Sequence, residues 1–212
     1  MIRNIFSGST RRRVVLAAIF AVAVAGSAAA ALVIAEGGSS GARPPTFRGG
    51  LDAFKPESPA RAAPEIAFTD AAGRPLSLAD FRGKTVLLNF WATWCAPCVK
   101  EMPSLDRLQR RLGSDRFVVV AISVDREGLE VVRPFLAKTQ IGSLATYVDP
   151  KGASMRAFGV RGLPTTFVID RNGREAGHIE GQAAWDTPQA EALIRYYLGR
   201  AAPQMDRAEI AH

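Results

Sequence analysis

Thr85-Val86-Leu87-Leu88-Asn89-Phe90-Trp91, running on into Ala92-Thr93-Trp94-Cys95-Ala96-Pro97-Cys98, decides how this chain folds. The first seven residues are a nearly continuous apolar run of strand length, the pattern of a strand buried on both faces. A helix follows from about Ala96 to Leu112, stopped by Gly113. Working outward, Phe117–Ser123 reads as a second buried strand and Gly128–Thr139 as a helix. Ala145–Val148 is a short strand, Ala153–Phe158 a brief helix and Thr165–Asp170 another strand. Asn172-Gly173 is a hairpin turn signal leading into Glu175–Glu180, and Asp186–Leu198 reads as a closing helix. Upstream, Glu65–Thr69 and Pro75–Leu78 flank a turn at Ala71–Arg74, and Ser77–Arg82 forms a helical turn closed by Gly83. Strands alternating with helices, then a hairpin and a helix, describe an α/β sandwich around a mixed sheet. About 140 residues are enough for one such core.

Before Pro64 the pattern is different. Val14 to Ala35 is a run of 22 residues without a charge, preceded directly by Arg11, Arg12 and Arg13. At about 1.5 Å per residue a helix of that length covers the roughly 30 Å hydrocarbon core of a bilayer. The basic flank places residues 1–13 in the cytoplasm and everything after Ala35 outside it. The competing reading is a cleaved signal peptide, whose apolar region is about 7–15 residues; Ala28-Ala29-Ala30 offers small-residue cleavage sites. Both readings export the domain. Residues 36–63, rich in Gly, Ser, Pro and Ala, read as a flexible or partly extended tether, residues 64–200 as the folded domain, and 201–212 as a tail.

The chain of 212 residues carries a net charge of +7, which invites a nucleic-acid reading. The distribution removes it. Residues 1–60 hold seven basic and three acidic side chains, whereas residues 61–212 carry only +3. Arg107, Arg110 and Arg111 fall at helical spacing beside Asp106 and read as a solvated helix face. No nucleic-acid partner is expected.

Two cysteines cannot build a disulfide-stapled domain or a four-cysteine zinc site. With only His178 and His212 to add, no metal is expected, and Val99 stands where covalent haem attachment requires His. Placement explains the pair instead. Cys95 sits where a buried strand feeds a helix, and the unpartnered N–H groups and positive dipole end there stabilise a thiolate. Cys98, three residues on, lies on the same face of the first turn, so the two sulfurs can close a redox disulfide. Pro97 is tolerated because its missing N–H would have been unpaired. Cys95 can attack a substrate disulfide and Cys98 can resolve the mixed disulfide.

The segment Asn89–Pro103 (NFWATWCAPCVKEMP) resembles the active-site segment of thioredoxin-like proteins, and most closely the membrane-anchored TlpA group, kin of the ResA and CcmG cytochrome-maturation reductants. The resemblance runs from about Pro64 to Leu198 and includes Leu76–Gly83, Gly162-Leu163-Pro164-Thr165-Thr166 and Gly181–Trp185. It implies a thioredoxin-like sandwich with a mixed central sheet flanked by helices, behind one N-terminal transmembrane helix. Pro164 matches the family's cis-proline beside the cysteines, which would leave the Leu163 backbone free to pair with a substrate strand. Glu101 matches the acidic residue three positions after the second cysteine, where it could relay a proton for Cys98. Trp94, Ala96 and Pro97, with Leu163, match the client-contacting surface, and Pro103 the helix kink. Thioredoxin itself has a buried Asp where this chain has Asn89, which cannot titrate. The second, structural cysteine pair of some TlpA proteins is absent.

The resemblance implies a reductant in an oxidising compartment, with no cofactor and no internal electron source. A membrane thiol transporter of the CcdA or DsbD type would recharge it. The implied clients are cytochrome oxidase subunit II, a Sco-type copper chaperone, or apocytochrome c. Pro164-Thr165-Thr166, rather than Pro-Glu-Thr, leans away from CcmG. A DsbA-like oxidant and a redox scaffold without turnover are the competing readings.

Overall fold

The computed structural model describes residues 51–199. The expected cytoplasmic segment, membrane anchor and C-terminal tail lie outside the described residues. Among the described residues no helix is long and apolar enough to cross a membrane.

Eight strands form one mixed sheet among these residues: β1 (Lys55–Ala62), β2 (Ala67–Asp70), β3 (Pro75–Ser77), β4 (Thr85–Trp91), β5 (Phe117–Ser123), β6 (Tyr147–Val148), β7 (Thr165–Ile169) and β8 (Arg174–Glu180). Their order across the sheet is β1-β8-β7-β4-β5-β6-β2-β3. The helices are α1 (Ala96–Leu112), α2 (Leu129–Lys138), α3 (Ala153–Ala157) and α4 (Pro188–Gly199), with a 3-10 turn at Leu78–Phe81. Ser77 caps that turn, its hydroxyl accepting from Ala79 N–H while Asp80 accepts from Ser77 N–H.

All seven residues of β4 are buried, because the strand lies between a parallel neighbour, β5, and an antiparallel one, β7. Alternation along it serves two cores. Leu87 and Trp91 pack with Met102, Leu105 and Leu108 of α1 and with Leu193 and Ile194 of α4. Val86, Leu88 and Phe90 pack on the other face with Phe68, Phe158 and Phe167. Asn89 shares the parity of Leu87 and Trp91, so the same register that builds the core aims an amide at α1.

The tether expected over residues 36–63 is shorter than its composition implies. From Leu51 onward it belongs to the fold. Leu51 is buried in the core, Phe54 meets Tyr197 edge-on at 6.2 Å, and β1 pairs antiparallel with β8. The ladder is irregular between Pro56 and Arg61. Proline is admissible on such an edge strand, where one row of backbone groups has no partner. Gly177 permits the approach: a Cβ there would lie 2.4 Å from the Phe54 ring and 2.7 Å from the Lys55 carbonyl oxygen. Lys55–Glu180 and Arg61–Glu175 ion pairs tie the edge further.

Candidate active site

β4 ends at Trp91, and five residues later, at Ala96, α1 begins. Cys95 is the helix N-cap, with extended backbone, and its Sγ accepts from the Cys98 N–H at 3.3 Å. Cys95 and Cys98 are joined as a disulfide, with Cα atoms 5.2 Å apart. Cys95 is 6% exposed and Cys98 fully buried, so one sulfur reaches the surface and the other is sheltered. Pro97 lies in the first helical turn, where no N–H is missed. The positive end of the α1 dipole and the amide at Cys95 Sγ both favour a thiolate at that atom.

Glu101 lies one turn further along α1 and is 1% exposed. Asn89 Nδ2 donates to its Oε1 at 2.7 Å, and Ala183 N–H and Trp185 Nε1–H donate to Oε2 at 3.0 and 3.4 Å. All three donors are neutral. Burial pushes the carboxyl from its ordinary 4.5 up to about 7, and the hydrogen bonds from Ala183, Asn89 and Trp185 only partly oppose that rise. A carboxyl with this affinity exchanges a proton near neutral pH. Asn89 Nδ2 also bonds Thr166 Oγ1 at 2.9 Å, while its Oδ1 is buried without a partner. Ser104 Oγ–H donates to the Glu101 carbonyl at 2.7 Å and accepts from Trp185 N–H at 3.2 Å, clamping the segment after β8 onto the helix.

Leu163–Pro164 is a cis peptide bond, and Pro164 is buried. β7 begins at Thr165, so Leu163 lies just before the ladder. Trp94 is 68% exposed, and among the described residues it is the large apolar side chain left in solvent. Ala96 and Pro97 are exposed beside it. Trp94, Cys95, Pro97 and Leu163 border one cleft of about 600 Å³. The structure therefore brings Cys95, Trp94, Pro97 and Leu163 to one surface and sets Cys98 and Glu101 beneath it. Among the described residues no cluster of His, Cys, Asp and Glu could hold a metal ion.

Sequence reading did not assign the Ala183 amide or the Trp185 indole to the Glu101 carboxyl, nor Thr166 to Asn89. Ala183 and Trp185 stand more than 80 residues from Glu101, and no spacing rule connects them. Arg107, Arg110 and Arg111, read as a solvated face, are engaged with Asp186, Asp106 and Glu191.

Comparison with known proteins agrees with this geometry. Residues 59–174 match the AhpC/TSA family. The thiol-disulfide oxidoreductase ResA of Bacillus thuringiensis subsp. konkukian is 33% identical over 141 residues, covering 66% of this chain and 77% of that protein. The ResA of Geobacillus thermodenitrificans is 37% identical over 119 residues, covering 56% of this chain and 67% of that protein. The crystal structure of a thiol:disulfide interchange protein of the thioredoxin family from Chlorobium tepidum TLS superposes with a TM-score of 0.54 at 30% identity, covering 68% of this chain and 99% of that one. With a disulfide at a helix N-terminus, a cis-proline and these relatives, the chain belongs to the AhpC/TSA family, as a thioredoxin-like thiol-disulfide oxidoreductase of the TlpA/ResA/CcmG type.

Proposed function

We propose that this oxidoreductase works outside the cytoplasm as a membrane-anchored reductant of client disulfides, with Val14–Ala35 as its anchor. The client class we favour is the copper-site cysteines of cytochrome oxidase subunit II or of its Sco-type chaperone. The observation that carries the exchange chemistry is the Cys95–Cys98 pair at the N-terminus of α1, with the Glu101 carboxyl buried one helical turn beyond Cys98; the reductant direction rests on the resemblance to the TlpA group.

The chemistry balances as two thiol–disulfide exchanges. The Cys95 thiolate attacks one sulfur of the client disulfide; the client S–S bond breaks, and its other sulfur leaves as a thiolate and takes a proton. Cys98 then gives its proton to the Glu101 carboxylate and attacks Cys95 Sγ. The mixed disulfide breaks, the second client thiol is released with a proton, and Cys95–Cys98 closes. The client gains two electrons and two protons. A dithiol donor, of the kind a CcdA- or DsbD-type transporter supplies, must reverse the cycle, since the chain has no further cysteine. Asn89 suits both states of Glu101: its Nδ2 donates to the carboxylate, and a half-turn of the amide presents Oδ1 to the protonated acid.

Cys98→Ser should trap clients on Cys95 as mixed disulfides. Recovery of oxidase subunit II or a copper chaperone supports the reading; apocytochrome c alone redirects it to cytochrome c maturation, and no trapped client leaves only a scaffold. A redox titration fixes direction. A potential close to the roughly −270 mV of thioredoxin is expected, and one near the roughly −120 mV of DsbA overturns the reductant reading. Protease protection with N-terminal sequencing tests the anchor; a mature chain beginning near residue 30 removes it.

A further inference from the structure

The cleft beside Cys95 carries four cations: Arg126, Lys151, Arg156 and Arg161. No carboxylate lines it. None of the four makes an ion pair among the described residues, whereas Arg107, Arg110, Arg111 and Arg174 each face a carboxylate. Of the carboxylates nearest in sequence, Glu127 is exposed outside the cleft lining, and Asp125 and Asp149 are turned inward. Asp125 accepts from Thr93 N–H, Thr93 Oγ1 and Ser123 Oγ, and Asp149 accepts from Ser154 N–H. All four cations are exposed, and Arg156 Nη1 donates to the Lys151 carbonyl oxygen at 2.6 Å, which leaves its charge without a carboxylate partner. Residues 61–212 sum to only +3, so four cations with no carboxylate among them make this cleft more positive than the domain as a whole. The apolar part of the same cleft is Trp94, Met155 and Leu163.

Resting on the oxidoreductase reading, we infer that this cleft docks an acidic segment of the client polypeptide, with Asp or Glu flanking the reactive cysteine and an apolar side chain laid against Trp94. Four like charges around one concavity repel each other until an anionic partner enters, and their summed field raises the encounter rate of such a partner with Cys95. An uncharged or basic segment would gain only the apolar contact.

The test uses the purified full-length protein with its cysteine pair reduced, at low ionic strength. Three substrates are compared: a disulfide peptide flanked by Asp and Glu, the same peptide with Lys at those positions, and neutral 2-hydroxyethyl disulfide. Each second-order rate constant is divided by that of dithiothreitol on the same substrate, which removes intrinsic disulfide reactivity. The acidic peptide should outpace the basic one by about tenfold or more. The preference should shrink steeply as salt rises, because the contacts are exposed. Arg156→Glu/Arg161→Glu should reverse the order, and the milder Arg126→Gln/Lys151→Gln should weaken it. Equal normalised rates, a basic preference, or an acidic preference indifferent to salt and to both variants would overturn the docking inference while leaving the oxidoreductase intact. Failure to exchange with any of the three, the neutral disulfide included, would instead strike the oxidoreductase reading on which it rests.

Discussion

Helix α1 buries two carboxylates five residues apart, and they behave oppositely. Glu101 is 1% exposed and Asp106 is 3% exposed. At Asp106 burial also raises the proton affinity, but Ser143 N–H, Arg110 and Leu144 N–H together outweigh it and hold the carboxyl below its ordinary range. Arg110 stands 2.5 Å from Asp106 Oδ2, and the two amides fasten the loop after α2 to Oδ1. Glu101 has three donors as well, but none is charged. Solvent exposure alone therefore does not decide the charge state of a carboxyl. At Asp106 the Ser143 amide, then Arg110 and the Leu144 amide, outweigh the cost of burial, whereas at Glu101 burial outweighs three neutral donors. One carboxylate is kept ionised to hold a loop; the other is left able to trade a proton.

The largest test of this contrast is stability against pH, measured as urea unfolding of the disulfide form of wild type and Glu101→Gln. The folded Glu101 binds its proton up to about pH 7, the unfolded one only to about 4.5. The native state therefore holds more protons in that window, and its stability falls as pH rises through it. The wild-type-minus-variant difference should drop by about 3 kcal/mol between pH 4 and pH 8. Asp106, with its pKa lowered, contributes in the other sense: its stabilisation is present above the unfolded value near 4 and is lost as pH falls through the folded one. A flat difference for Glu101→Gln would remove the raised pKa.

On rate, Glu101→Gln should slow client reduction at pH 7.5 by about a hundredfold and erase the rise of rate through neutral pH. An unchanged pH–rate profile by stopped-flow fluorescence would retire the relay. Asp106→Ala should leave that profile in place yet cost about 2 kcal/mol in denaturant unfolding, because two amides and a guanidinium lose their acceptor. The smallest effect belongs to Arg110→Gln. Its side chain is 62% exposed, so the loss should stay below about 1 kcal/mol, with Asp106 still held by the two amides. A larger loss would mean that the cation, rather than the amides, fixes the loop.

Legibility from sequence divides along similar lines. Thr85–Trp91, Ala96–Leu112 and Phe117–Ser123 were readable end to end, because each is an unbroken apolar run or a helical pattern closed by Gly113. Lys55–Ala62 was not: KPESPARA has no alternation and two prolines, and the strand exists through backbone pairing to β8 and two ion pairs. Cys95 and Cys98 were readable because their spacing and their place before a helix are local facts. The four cations around the cleft were not, since Arg126 and Arg161 are 35 residues apart and nothing local draws them together.

The sequence by itself determined where the two cysteines stand and the strand-to-helix turn that presents them, since hydrophobic period, capping position and a three-residue step act within one stretch of chain. It also determined that position 89 holds no acid. The tertiary structure decided that Glu101 would titrate near 7, because that value comes from desolvation beneath the sheet and from donors on β4 and on the segment after β8. It likewise decided that Arg126, Lys151, Arg156 and Arg161 would line one cleft beside Cys95, since a field is summed over positions in space and not over positions in the chain.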